Sequence, residues 1–176
     1  MAIYRYFQQR QLPVEIAKAI FTDASSLACK TCSELGIPIA VVSNKGIDQF
    51  EEHVLAVLSN ERAELLALCG FMKLLSASFI SRAAIPILNV HPALLPKYGG
   101  KKMYGMAVHR AVYEAQESYS GATIHRVDAL YDHGEILAQK AVDISHCQSP
   151  EEIAATVLKI EHEIYPQAIY ELLTKA

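Results

Sequence analysis

The sequence has no block of basic residues, no long apolar run and no repeated or low-complexity tract. Lys and Arg number 16 against 19 Asp and Glu, for a net charge of -3. With no concentrated basic surface to follow a phosphate backbone, neither DNA nor RNA is expected as a partner. The longest apolar stretch runs from Leu65 to Met72 and is closed by Lys73. That is far short of a bilayer span, so no membrane partner is expected either. The opening residues, Met1-Ala2-Ile3-Tyr4-Arg5-Tyr6-Phe7, lack the apolar core of a secretory signal, and the expected location is cytoplasmic. Cysteine is sparse: Cys29, Cys32, Cys69 and Cys147. In a cytosolic chain such residues are expected as free thiols. Cys29 and Cys32 have metal-ligand spacing, but no second pair or Cys/His cluster completes a zinc site, so no metal is expected.

What is present is a globular composition. The chain has 176 residues, 52% of them hydrophobic and 20% charged, enough for one domain over 1–176 with its own core. Short apolar runs alternate with helical spacing. Residues 14–20, 38–42, 65–69, 87–90, 121–127 and 136–142 read as strands. Helices are expected over 26–35, ended by Gly36, around Ile47, Phe50, Val54, Val57 and Leu58, over 73–84 and over 105–116. Ser149-Pro150-Glu151-Glu152 then opens a long closing helix, with serine as N-cap and proline in its first turn. Ile153, Val157, Ile160 and Ile164 form its apolar stripe, and Pro166 should kink or break it. This alternation predicts an α/β class: a doubly wound, mostly parallel sheet with helices on both faces. The uniformly apolar run at 65–69 suits a strand buried on both faces. Ligands of such sheets bind beyond the carboxyl ends of the strands. That edge would carry Gly70-Phe71-Met72 and Asn89-Val90-His91.

Asn89 and His91 are therefore candidate chemistry. On an extended segment, i and i+2 side chains leave on the same side. Their N–H donors could converge on an oxygen gaining negative charge, as in acyl transfer. The plainer reading is an Asn that holds a turn and a surface His. Asp132 sits in a loop before Gly134. Beside an imidazole, a buried carboxylate raises the imidazole pKa and keeps it charged; alternatively Asp132 only closes an Asx-turn. His125 shares a strand face with Thr123 and Val127; it either points into the same cleft or, the favoured reading, is a satisfied strand histidine. The loop Gly99-Gly100-Lys101-Lys102 lacks phosphate-loop spacing, and either covers a substrate or is a turn before a helix.

Several stretches together resemble phosphoribosylglycinamide formyltransferases. They are Cys69-Gly70-Phe71-Met72-Lys73-Leu74-Leu75-Ser76, Leu88-Asn89-Val90-His91-Pro92-Ala93-Leu94-Leu95-Pro96-Lys97-Tyr98, Met103-Tyr104-Gly105-Met106 with Val108-His109, Gly121 to His125, Tyr131 to Leu137, and Glu161 to Pro166. The resemblance implies formyl transfer from 10-formyltetrahydrofolate, as co-substrate, to the amine of glycinamide ribonucleotide, with no metal and with small molecules as partners. Asn89 and His91 would stabilise the tetrahedral intermediate, His91 would donate or relay a proton, and Asp132 would hold His91 and raise its pKa. Met72, Lys73, Leu74 and Leu75, with Asn89 and Asp132, would bind the folate; Pro92 and Glu161 would bind the ribonucleotide. Alternatives are a related folate-dependent formyltransferase, a formyltetrahydrofolate hydrolase, or a chain with little turnover. The family opens with a strand and a Gly/Ser/Asn-rich phosphate loop. Residues 2–7 match the helix that follows them, so this N-terminal strand and loop are expected to be missing, with homo-oligomer formation as a possible compensation.

Overall fold

Helices and strands alternate along the chain, in a computed structural model that describes residues 1–42 and 46–175. In order they are α1 (Ala2–Arg10), β1 (Ala19–Phe21), α2 (Leu27–Glu34), β2 (Ile39–Val41), α3 (Ile47–Asn60), β3 (Leu66–Leu68), α4 (Ala77–Ala83), β4 (Ile87–His91), α5 (Met106–Glu114), β5 (Tyr119–Arg126), β6 (Ile136–Asp143) and α6 (Pro150–Thr174). The α/β class is as expected. The residues group into two compact units, one of Met1–Leu66 with Leu75–Ile85, the other of Ala67–Leu74 with Pro86–Ala176. Among the described residues no helix is long and apolar enough to cross a membrane.

In the first unit, β1 and β2 pair in parallel from Ala19↔Ile39 to Phe21↔Val41. Only the last two residues of the expected 14–20 strand are extended and paired. β2 offers three residues, so the ladder stops at Ala19. The helix over 26–35 forms with Ser26 as its cap, the hydroxyl accepting from the Cys29 N–H at 3.2 Å. On α3, Phe50, Val54 and Leu58 are buried at the spacing read from the sequence. Beside them lies a buried carboxylate, Glu51. It accepts from the Ser76 N–H at 2.7 Å and the Ser76 hydroxyl at 2.6 Å, while that hydroxyl accepts from the Phe79 N–H at 3.0 Å. Ser76 is thus the cap of α4, which is why the helix starts at Ala77 and not at Lys73.

The second unit holds a four-stranded sheet in the order β3-β4-β5-β6. Pairing is antiparallel from β4 to β5 and from β5 to β6, a direction that alternating elements do not encode. β3 lies at the edge of this sheet, and its residues are half-buried, not enclosed on both faces. α6 packs against β4, β5, β6 and α5. Ile153 and Val157 on its stripe are 2% and 0% exposed. Its start is as the sequence reads: the Ser149 hydroxyl accepts from the Glu152 N–H at 3.2 Å, and the Glu152 carboxylate accepts from the Gln148 N–H at 2.8 Å. The expected break at Pro166 does not occur; α6 continues through it to Thr174. Pro166 is fully buried, and the neighbouring Tyr165 hydroxyl lies 3.0 Å from the Leu68 carbonyl and 2.9 Å from the Leu88 carbonyl. Packing and this buried contact on both sides of the proline outweigh the helix hydrogen bond it cannot make, a loss of about 3 kcal/mol.

Candidate active site

The register of β4 on β5 sets Asn89 opposite His125 and His91 opposite Thr123. Residues two apart on a strand share a face, so these four side chains form one patch of the sheet. His91 is 3% exposed and His125 also 3%. A buried imidazole must find partners for both nitrogens, and these do. His125 Nδ1–H donates to its neighbour's carbonyl, Arg126 O, at 2.8 Å. Nε2 then carries the lone pair and accepts from Asn89 Nδ2 at 3.1 Å. This fixes which way the Asn89 carboxamide points, and its second N–H is not spent on His125. His91 Nε2–H donates to the Tyr98 carbonyl at 2.8 Å, which leaves Nδ1 as its titrating nitrogen.

Asp132 enters from the loop between β5 and β6. Its Oδ1 lies 3.5 Å from His91 Nδ1 and 3.6 Å from His125 Nε2, and its Oδ2 accepts from the Gly100 N–H at 2.9 Å. The backbone of Asp132 is left-handed, with φ 53°, as is that of Tyr98, with φ 56°. Non-glycine residues adopt this conformation at a cost, and here both deliver a polar group to His91. Gly99 stands between Tyr98 and Gly100 because the chain is tight there. A Cβ at Gly99 would meet Leu95 Cδ2 at 2.6 Å and Asp132 Cβ at 3.3 Å.

Asp132 acts on the His91 pKa in the direction expected from the sequence, but the net shift is downward. Burial pushes the His91 pKa down, and the attraction of Asp132 and the Tyr98 carbonyl does not restore it; His125 adds to the lowering. The Asp132 contact, at 3.5 Å, is beyond good hydrogen-bond length. Asp132 shows the opposite balance. Burial pushes its carboxyl up, but His125, the Gly100 N–H and His91 hold it below the ordinary value. His109, on α5, is 5% exposed, and burial followed by repulsion from His91 lowers its pKa too. Both imidazoles titrate below the ordinary 6.5 in the folded chain, so the unfolded chain binds more protons as the pH falls past that value. Their contribution to stability is complete above 6.5 and is lost as pH falls through the folded values. Urea unfolding at a series of pH values should show stability falling from neutral pH into that window, and less steeply for His109→Gln.

The site thus joins Asn89, His91 and Asp132, all three from the sequence reading, and adds His125. The alternation of Thr123, His125 and Val127 was the available signal for His125, but alternation does not say which face is the functional one. Met72 and Leu74 are exposed at 61% and 38%, and Lys73 is exposed as well. Leu75 belongs to the first unit and is buried in its core at 2%. Pro92 is half-buried directly after His91, and Glu161 is half-buried on α6, with its carboxyl pKa raised by burial. The basic loop is present as Gly99 to Lys102, and its contribution is main-chain: Gly100 holds Asp132. Among the described residues no group of three or more His, Cys, Asp or Glu could hold a metal ion.

The pattern of the family described as formyl transferase matches residues 1–169. A chloroplastic phosphoribosylglycinamide formyltransferase of Arabidopsis thaliana is 44% identical over 113 residues, 64% of this chain and 39% of that one. The phosphoribosylglycinamide formyltransferase of Haemophilus influenzae is 34% identical over 161 residues, covering 90% of this chain and 74% of that one. The chain thus spans well under two thirds of the plant relative's length. Among solved structures, a phosphoribosylglycinamide formyltransferase from Bacillus halodurans superposes with a TM-score of 0.88 at 27% identity, over 99% of this chain and 89% of that one. One from Brucella melitensis gives 0.86 at 32% identity, over 97% and 87%.

Proposed function

The chain belongs to the formyl transferase family, and we propose that it transfers a formyl group from 10-formyltetrahydrofolate to the amine of glycinamide ribonucleotide, a step of purine synthesis. The observation that carries this reading is the convergence of the Asn89 carboxamide, the His91 imidazole and the Asp132 carboxylate at the end of β4. Relatives in bacteria and plants bear the name of this activity.

The chemistry follows from the donors. Attack of the amine on the formyl carbon forms a C–N bond and moves the carbonyl electrons onto oxygen. The Asn89 N–H offers that oxygen a donor that a ground-state carbonyl uses less well, and an imidazolium formed at His91 would add positive charge beside it. Collapse of the tetrahedral adduct breaks the bond to the folate nitrogen, which must gain a proton as the amine loses one. His91 Nδ1 is suited to carry that proton. Burial holds its pKa below the ordinary histidine value, so the ring rests neutral and can accept the proton that the amine loses. Asp132, held by Gly100, stabilises the imidazolium while it exists. Met72, Lys73 and Leu74, exposed after β3, are assigned to the folate, with Leu75 behind them in sequence. Pro92 and Glu161 are assigned to the ribonucleotide; a half-buried carboxylate is a suitable acceptor for hydroxyl groups.

The test is acceptor dependence. Purified chain should consume 10-formyltetrahydrofolate only when glycinamide ribonucleotide is present, with one formylated product per folate released. Equal folate consumption without any amine would replace this reading by a hydrolase, since water would then be the acceptor.

A further inference from the structure

A row of three residues crosses the sheet at the site: His91 on β4 faces Thr123 on β5, and Thr123 faces Gln139 on β6. Thr123 and Gln139 do not bond to His91. They bond to the turn that follows it. Ala93 is 0% exposed and Leu95 6%, so the backbone groups of this turn are largely shut off from water and require protein partners. The Thr123 hydroxyl donates to Ala93 O at 2.6 Å and accepts from the Leu95 N–H at 3.1 Å. The Gln139 amide Nε2 donates to Leu95 O at 2.9 Å and to the Thr123 hydroxyl at 2.9 Å. The donor and acceptor count closes. One hydroxyl hydrogen goes to Ala93, its oxygen accepts twice, and both amide hydrogens of Gln139 are used. The orientation of the Gln139 amide is also determined, because Leu95 O can only accept.

Three residues beyond Leu95 lies Tyr98, whose carbonyl receives the His91 Nε2–H. Gly99 follows and lies against the Leu95 side chain. A turn pinned at Ala93 and Leu95 therefore limits where the Tyr98 carbonyl can sit. We infer that Thr123 and Gln139 are positioning residues for His91: they close the turn after β4 and thereby hold the Tyr98 carbonyl on Nε2. The consequence is a fixed tautomer. With Nε2 always the donor, the titrating nitrogen is always Nδ1, on the side of Asp132. If the turn loosens, the ring can exchange its two nitrogens, and part of the population presents the wrong one.

The kinetic part of the test rests on the formyl-transfer reading, whereas the spectroscopic part does not. Imidazole nitrogen-15 shifts of the whole chain would report the His91 tautomer in Gln139→Met, Thr123→Val and Thr123→Ser. Gln139 is exposed, so its methionine variant should fold even if Thr123→Val, which strips a buried turn of its partner, does not. Gln139→Met is expected to shift His91 from one tautomer to a mixture and to lower kcat by about 10-fold, within the range for an ångström-scale misplacement, with KM for the folate little changed. Thr123→Val should do the same more severely, and Thr123→Ser should restore both signals. Unchanged His91 shifts and unchanged kcat in Gln139→Met would overturn the inference, as would a Thr123→Ser variant as impaired as Thr123→Val. Displaced shifts in a protein whose His91→Ala variant keeps full turnover would leave the inference standing and remove the functional reading instead.

Discussion

Replacement of His91 by alanine is expected to lower the rate of formyl transfer by about 10²- to 10⁴-fold, the usual contribution of a positioned proton-transfer group. The affinity for the folate is expected to change less than turnover, because Met72, Lys73 and Leu74, assigned to that ligand, follow β3 and not β4. The expectation depends on what His91 alone supplies. Asn89 can donate to a developing oxyanion but cannot take up a proton, and Asp132, held below the ordinary carboxylate range, is a poor proton donor near neutral pH. Steady-state kinetics with both substrates, and folate titration by fluorescence or calorimetry, would measure the two effects. His91 is buried, so its truncation also leaves a cavity and costs stability. Assays well below the unfolding midpoint, with circular dichroism as a control, separate that loss from chemistry. Turnover within a few fold of the parent chain would reject His91 as the proton carrier.

The parts of this site that could be read from the sequence are those set by local pattern. Two-residue spacing put Asn89 and His91 on one strand face, and an apolar run followed by two prolines marked the end of that strand. The cap at Ser149 was legible for the same reason, since a cap is a matter of four consecutive residues. What was not legible depends on distance along the chain. The row His91, Thr123, Gln139 exists only through strand register, which brings together residues 16 and 32 positions apart in sequence. The helix over 73–84 was started too early because Ser76 is held by Glu51, 25 positions away. Pro166 was expected to kink or break α6, and the helix is not broken there; local rules do not include the packing of Tyr165 beside it. The net shift at His91 was not legible for a related reason. A carboxylate neighbour can be guessed from chemistry, but the depth of burial that outweighs it comes only from the assembled fold.

Asp132→Asn is expected to reduce turnover at neutral pH by about 100-fold or more, on the scale of losing the carboxylate that orients a catalytic histidine. Asparagine is the informative substitution because of the backbone. Asp132 has φ 53°, a conformation that asparagine accepts and alanine resists by about 1–2 kcal/mol. The variant can therefore keep the loop and the bond from Gly100 while removing only the charge. Two effects then combine on His91. The attraction that partly offsets burial is gone, so the imidazole pKa falls further below its already lowered value. In addition, a carboxamide can donate to the Nδ1 lone pair, which favours the neutral ring that a carboxylate opposes. The sign is definite. The protonated fraction of His91 at a given pH drops, and the limb of the pH–rate profile that needs imidazolium moves toward acid. Lowering the pH should recover part of the lost rate, until protonation of the acceptor amine removes the nucleophile. A plain structural defect would depress the profile at all pH values without moving that limb. An unshifted limb with parental turnover would show that Asp132 neither charges nor orients His91, and that the 3.5 Å contact has no functional role.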